Sequence, residues 1–317
     1  MLCIASAFST LAQALQVPGP LVDMDWLEQH LDQVKILDVR DDIKSFTRRA
    51  VLVRKRFTGD LKISIPGAHI PGAVLVDFQN MRDSREIDGR NVRRMIPEKF
   101  EFEQLMRSWG VNKNDAIIIM SQGMGNGDIT MATRLYWQIK YYGHDNLAIL
   151  DGGMAQWLLE EKPASIEARE VSPGSWSVGV IRENINASSE DVSRAIESKV
   201  IQLVDTRDLG FYLGLYKQSY VRKKGHIPGA KVFPNQLLTS ADTPALITEP
   251  DQIRQMATEL GIKPDVNMIT YCNSGQLASA SWFVFSELMG NKNVKLYDGS
   301  MHQWALEKRP VIQMKLE

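Results

Sequence analysis

The residue best suited to covalent chemistry is Cys272, one of only two cysteines in 317 residues. It follows a short apolar run, MITY at 268–271. The polar loop Asn273-Ser274-Gly275-Gln276-Leu277 comes next, and beyond it small and apolar residues can form a helix. A thiol at the carboxyl end of a parallel strand lies where open α/β sheets bind ligands, and the N–H groups of a strand-to-helix loop can converge on its sulfur. Gly275 can supply the left-handed turn that such a loop needs. Converging donors and the positive end of a helix dipole favour the thiolate, which is the nucleophilic form. The bland alternative is a small buried hydrophobe, the usual fate of a lone cysteine.

The composition narrows the class. Lys and Arg number 37 against 38 Asp and Glu, so no basic surplus points to nucleic acid, and a small molecule or a protein is the expected partner. Two cysteines cannot frame a disulfide scaffold, and histidines at 30, 69, 144, 226 and 302 have no metal-ligand spacing. The reading is therefore of chemistry without metal or cofactor. No apolar run approaches the ~20 residues of a membrane span. The uncharged start, MLCIASAFSTLAQALQVPGP, has Ala12-Gln13-Ala14 in the pattern of a signal-peptidase site but lacks a basic beginning. Residues 1–14 are thus read as a signal peptide and the mature chain as periplasmic or secreted; the alternative is a frayed tail on a cytoplasmic protein.

The halves repeat each other. ILDVR at 36–40 matches LVDTR at 203–207, HIPGA occurs at 69–73 and 226–230, and LDGGMAQW at 150–157 matches YDGSMHQW at 297–304. The offset shrinks from 167 at Asp38/Asp205 to 157 at His69/His226, 151 at Gly110/Gly261 and 147 at Trp157/Trp304. Two homologous units follow, with small insertions in the first. Short β-branched runs such as AIIIM and NMITY alternate with helical patterns, which predicts two α/β domains, each a mainly parallel sheet covered by helices on both faces. The first is expected at 17–163 and the second at 186–314, joined by a linker at 164–185 that carries Pro163, Pro173 and Gly174 at or inside its borders.

With its double set of Asp-x-Arg, His-Ile-Pro-Gly-Ala and Asp-Gly-x-x-x-x-Trp segments, the chain from about 21 to 311 resembles the tandem-domain rhodaneses, the thiosulfate and 3-mercaptopyruvate sulfurtransferases. The resemblance implies a catalytic second domain with Cys272 first in a six-residue loop, and a non-catalytic first domain with Ser121 at the equivalent place. It implies that a persulfide on Cys272 carries sulfur from a small donor to cyanide or a thiol, and a monomer is expected. A non-enzymatic sulfur carrier is the alternative of a different class. The loop departs from the family at Leu277, where Thr, Ser or Arg is usual, and Asn273-Ser274 fits neither donor subfamily. Phe211 stands where the family has a donor-binding arginine. Arg222, Lys223 and Lys224 could supply that charge or form only a solvated run, with Arg207 the next candidate. Ala278 stands where phosphatases of this fold have an arginine, which argues against phosphoryl transfer. Structural roles are expected for Asp38 and Asp205 paired with Arg40 and Arg207 near strand ends, His69 and His226 bonded to backbone, and Trp157 and Trp304 in the core.

Overall fold

The computed structural model describes residues 15–314; the signal-peptide reading falls on 1–14 and lies outside them. In the first half the elements are β1 (Leu21–Val22), α1 (Met24–Gln29), β2 (Val34–Arg40), β3 (Val51–Arg54), β4 (Leu61–Ile65), β5 (Val74–Asp77), β6 (Asp83–Ile87), β7 (Arg90–Met95), α2 (Lys99–Ser108), β8 (Ala116–Ser121), α3 (Asn126–Tyr141), β9 (Leu147–Leu150) and α4 (Gly153–Leu159). The second half runs α5 (Ser189–Ser198), β10 (Gln202–Asp205), α6 (Leu209–Leu213), β11 (Lys231–Val232), α7 (Pro250–Glu259), β12 (Met268–Tyr271), α8 (Gln276–Trp282), β13 (Val294–Leu296) and α9 (Ser300–Leu306). Phe283–Leu288 continues α8 as a π-helix.

The first unit builds a five-stranded sheet in the order β1-β9-β8-β2-β5, and the second a four-stranded one in the order β11-β10-β12-β13. Every pair in both sheets is parallel. Alternation along β8 explains the layers: Ile117 and Ile119 face α2 and α3, while Ile118 and Met120 face α1 and α4. The second sheet is covered in the same way, with Ile269 and Tyr271 packed toward α5 and α9 and Met268 toward α7 and α8. The fifth strand of the second unit is reduced to one bridge, Asn186 to Leu296.

The shrinking offset has a structural address. Two antiparallel hairpins, β3/β4 and β6/β7, are inserted in the first unit before and after its His-Ile-Pro-Gly turn. Residues 166–182 contain no helix or strand, yet Trp176 is 1% exposed and packs edge-on against Phe102, fastened by its N–H to Val111 O at 3.0 Å. This segment is laid along the first unit.

One core cluster runs through both units, because α3 packs against α8. Twelve of the sixteen residues of α3 are buried, as expected for a helix covered on all sides. Its polar members cross between units: Thr133 Oγ1 bonds Ser279 Oγ at 2.9 Å, and Thr130 Oγ1 accepts from Gln276 Nε2 at 3.0 Å.

Candidate active site

Cys272 leaves the carboxyl end of β12 with 1% of its surface exposed. Asn273 and Ser274 are buried beside it, and Gln276 and Leu277 are half-buried. Gly275 takes φ +75°, and a Cβ there would come within 2.6 Å of both Arg134 Nη1 and Asp298 Oδ1, so conformation and space both require glycine. Ser300 fixes the loop from below: its Oγ accepts N–H bonds from Cys272 at 3.0 Å and Gly275 at 3.1 Å and donates to Tyr297 O at 2.8 Å. Asn273 O accepts from His302 N at 3.0 Å. The N–H groups of Asn273, Ser274, Gln276 and Leu277 have no protein acceptor among the described residues. They are unpaired donors of the loop that begins at the thiol.

Arg207 lies behind this loop. It is 1% exposed, pairs with Asp205 through Nε at 2.9 Å and Nη2 at 2.6 Å, and reaches Gly225 O at 2.8 Å and Asn273 Oδ1 at 3.4 Å. Burial works against its charge, but Asp205 and then Tyr271 and the Cys272 sulfur outweigh it and hold the guanidinium above its ordinary range. Arg40 repeats the geometry with Asp38 and Ala68 O. The expected pairing of Arg207 with Asp205 at the strand end is thus present, and its further bonds to Gly225 and Asn273 tie it to the fold and make it a positioning residue for Asn273. The expected backbone bonds of the histidines are present, from His69 Nδ1 to Phe46 O at 2.8 Å and from His226 Nδ1 to Tyr212 O at 2.7 Å. Trp157 and Trp304 are buried, each indole N–H donating 2.7 Å to a carbonyl, of Pro163 and Pro310 respectively.

The basic run divides. Lys223 Nζ donates to Lys308 O at 2.9 Å and Arg309 O at 2.7 Å, and Lys224 Nζ to Leu215 O at 3.0 Å, so these two ammonium groups staple backbone. Arg222 is exposed, without a protein partner among the described residues, and close enough to His302 to lower its pKa. Burial is the larger cause of that shift, and Arg93 and Arg94 of the first unit contribute beside Arg222. Tyr220 links this group to the loop, its hydroxyl 3.3 Å from Ser274 Oγ and its carbonyl 3.0 Å from His302 Nδ1.

The first unit also closes the floor. Arg134 from α3, fully buried, pairs with Asp298 at 2.6 Å, and Asp298 Oδ2 accepts the Ile96 N–H at 2.9 Å. The mirror contact exists at the other end, where Asp151 Oδ1 accepts the Ile247 N–H at 2.9 Å. There the equivalent of Cys272 is Ser121, 1% exposed, and its longer loop is plugged by the second unit: Gly123 O accepts from Ala245 N and Met124 O from Thr243 Oγ1, both at 2.9 Å. One unit carries a loop with unpaired donors that begins at a thiol, and the other a covered loop that begins at a hydroxyl.

Two such units, each with its Asp-x-Arg pair behind a strand-end loop, define a class, and the chain belongs to the rhodanese-like domain family, matched at residues 23–160 and 188–307. Among its relatives is the Thermus thermophilus "Sulfur carrier protein TtuD", 31% identical over 90% of this chain and 94% of that one. A Haloferax volcanii protein named "Putative thiosulfate sulfurtransferase" is 27% identical over 90% of this chain and 92% of its own. Of the solved structures, the Escherichia coli 3-mercaptopyruvate sulfurtransferase SseA superposes with a TM-score of 0.70 at 25% identity, covering 89% of this chain and 98% of that one.

Proposed function

We propose that this protein transfers sulfane sulfur from thiosulfate to a thiophilic acceptor through a persulfide on Cys272. The Cys272 thiolate attacks the outer sulfur of the donor, the S–S bond to the sulfonate breaks, and sulfite leaves with its electron pair. Cyanide or a thiolate then attacks the terminal sulfur of the persulfide, releasing thiocyanate or an acceptor persulfide and restoring the thiolate. The observation that carries the reading is the loop of 272–277, which starts at the only free thiol among the described residues and has four N–H groups without a protein acceptor. An anionic persulfide gains more from such donors than a neutral thiol does. The thiosulfate-named relatives support this donor, and likeness to SseA supports 3-mercaptopyruvate as the alternative.

Cys272→Ser is expected to keep the fold and to lose transfer from every donor, measured as thiocyanate formation. Activity above about a few per cent of wild type would overturn the assignment, since replacing the thiolate removes the nucleophile itself. A second reading, a carrier that holds sulfur without turnover, is favoured by the name of the Thermus relative. A persulfide seen by mass spectrometry that outlasts incubation with cyanide and thiols would select it.

We also propose export. The uncharged apolar start and Ala12-Gln13-Ala14 support cleavage after Ala14, and from Leu15 onward the chain is fastened, with Asn146 Nδ2 donating to Leu15 O at 2.7 Å. Sequencing of the natural protein should find an amino terminus near Leu15; Met1 on cytoplasmic protein would refute it.

A further inference from the structure

We propose that Arg93 and Arg94, carried by the inserted hairpin β6/β7, form with Arg82 and Arg222 the site that binds the oxyanion end of the sulfur donor and of its leaving group. This rests on the sulfur-transfer reading. The hairpin has no counterpart strands in the second unit, yet the Arg94 guanidinium lies 4.4 Å from the centroid of the Tyr220 ring, whose hydroxyl is 3.3 Å from Ser274 Oγ. A cation of the first unit thus stands one aromatic ring from the thiol loop. Beside it opens a cleft of about 200 Å³ lined by Gln79, Arg82, Asp83, Ser84, Arg93 and Arg94.

The charge there is unbalanced. Arg82, Arg93, Arg94, Arg134 and Arg222 gather there, the one carboxylate in the cleft lining is Asp83, and Asp298 is committed to Arg134. Arg82 is only 9% exposed, lies 3.7 Å from the Phe78 ring centroid, and has a buried Nη1 with no partner among the described residues. Its pKa is pushed down to about 10, by burial first and then by Arg134 and Arg94. His302, 4% exposed, likewise has a buried Nε2 without a partner among the described residues. Crowded guanidinium groups in a partly desolvated cleft repel one another, and a bound oxyanion replaces that repulsion with charge-assisted hydrogen bonds. Sulfonate and carboxylate share this chemistry, so thiosulfate and mercaptopyruvate are separated by their leaving groups, sulfite and pyruvate.

The test uses full-length Cys272→Ser protein, which binds without turning over, and calorimetric titration with thiosulfate, sulfite and pyruvate. Arg93 and Arg94 are exposed, so Arg93→Gln/Arg94→Gln leaves the core intact. That pair should weaken thiosulfate and sulfite binding by about tenfold or more, the loss of two partly screened ion contacts, and flatten its dependence on salt. Lys223→Gln/Lys224→Gln should change the Kd by less than about threefold, because those ammonium groups bind backbone. A pyruvate effect larger than the sulfite effect assigns the site to a carboxylate donor. An unchanged Kd and salt response in the arginine variant overturns the inference. The two readings fail separately: if thiosulfate binds through these arginines but wild-type Cys272 gains no sulfur, the sulfurtransferase reading falls and the anion site stands.

Discussion

At the scale of single residues, reactivity and titration are divided between neighbours. Ser300 accepts the N–H groups of Cys272 and Gly275, which fixes the loop while its other N–H groups stay without a protein acceptor among the described residues. His302 sits on the same helix two residues on, neutralised by burial and by Arg93, Arg94 and Arg222. A histidine whose folded pKa is depressed below 6.5 binds fewer protons folded than unfolded. Its contribution to stability is therefore complete above pH 6.5 and is lost as pH falls from there toward the folded value. His144, lowered by burial, acts with the same sign. His302→Gln should accordingly flatten, without abolishing, the loss of stability on acidification below about pH 6.5, read from urea midpoints. A slope equal to that of wild type would show that His302 is not held neutral.

At the scale of elements, what was legible was what buries apolar surface in a short run. AIIIM and MITY read as strands because parallel strands covered on both faces need no alternation. The loop of 272–277 read as a site because glycine and polar residues interrupt that pattern at a strand end. The two hairpins were legible only as a fall in the repeat offset, from 167 to 157 and then to 151. Their sequences, VLVRKRFTGDLKISI and DSREIDGRNVRRM, are charged and largely exposed, so alternation is weak and they resemble loops. That is why the sequence offers Arg222, Lys223 and Lys224 as its basic group and does not point to Arg93 and Arg94. The signal that could have found them is an insertion dense in arginine within an otherwise faithful repeat. Trp176 was hidden similarly, since one buried indole in an aperiodic segment leaves no pattern although it fastens residues 164–185 to the first unit.

For the whole molecule, the decisive contacts join residues far apart in the chain. Arg134 and Asp298 are both buried, and Asp298 also holds Ile96. Replacing one partner of such a pair strands the other's charge, at a cost of about 3–5 kcal/mol. Arg134→Met should lower stability by about that amount and reduce transfer activity, because Asp298 and Gly275 adjoin the same guanidinium. A loss below about 1 kcal/mol in urea unfolding would mean that the pair is not energetically coupled. The crossed contacts of Ile96 with Asp298 and Ile247 with Asp151 also bear on the order of manufacture. A ribosome releases the first unit while the acceptor for Arg134 is still unmade, and amino-terminal domains generally fold as they emerge. Until residue 298 arrives, that arginine is a cation without its counter-charge, and the Ile96 N–H lacks its acceptor. The thiol loop is completed only when nearly all of the chain has been synthesised, so a truncated product carries the cysteine without the Ser300 and Asp298 contacts that shape its loop.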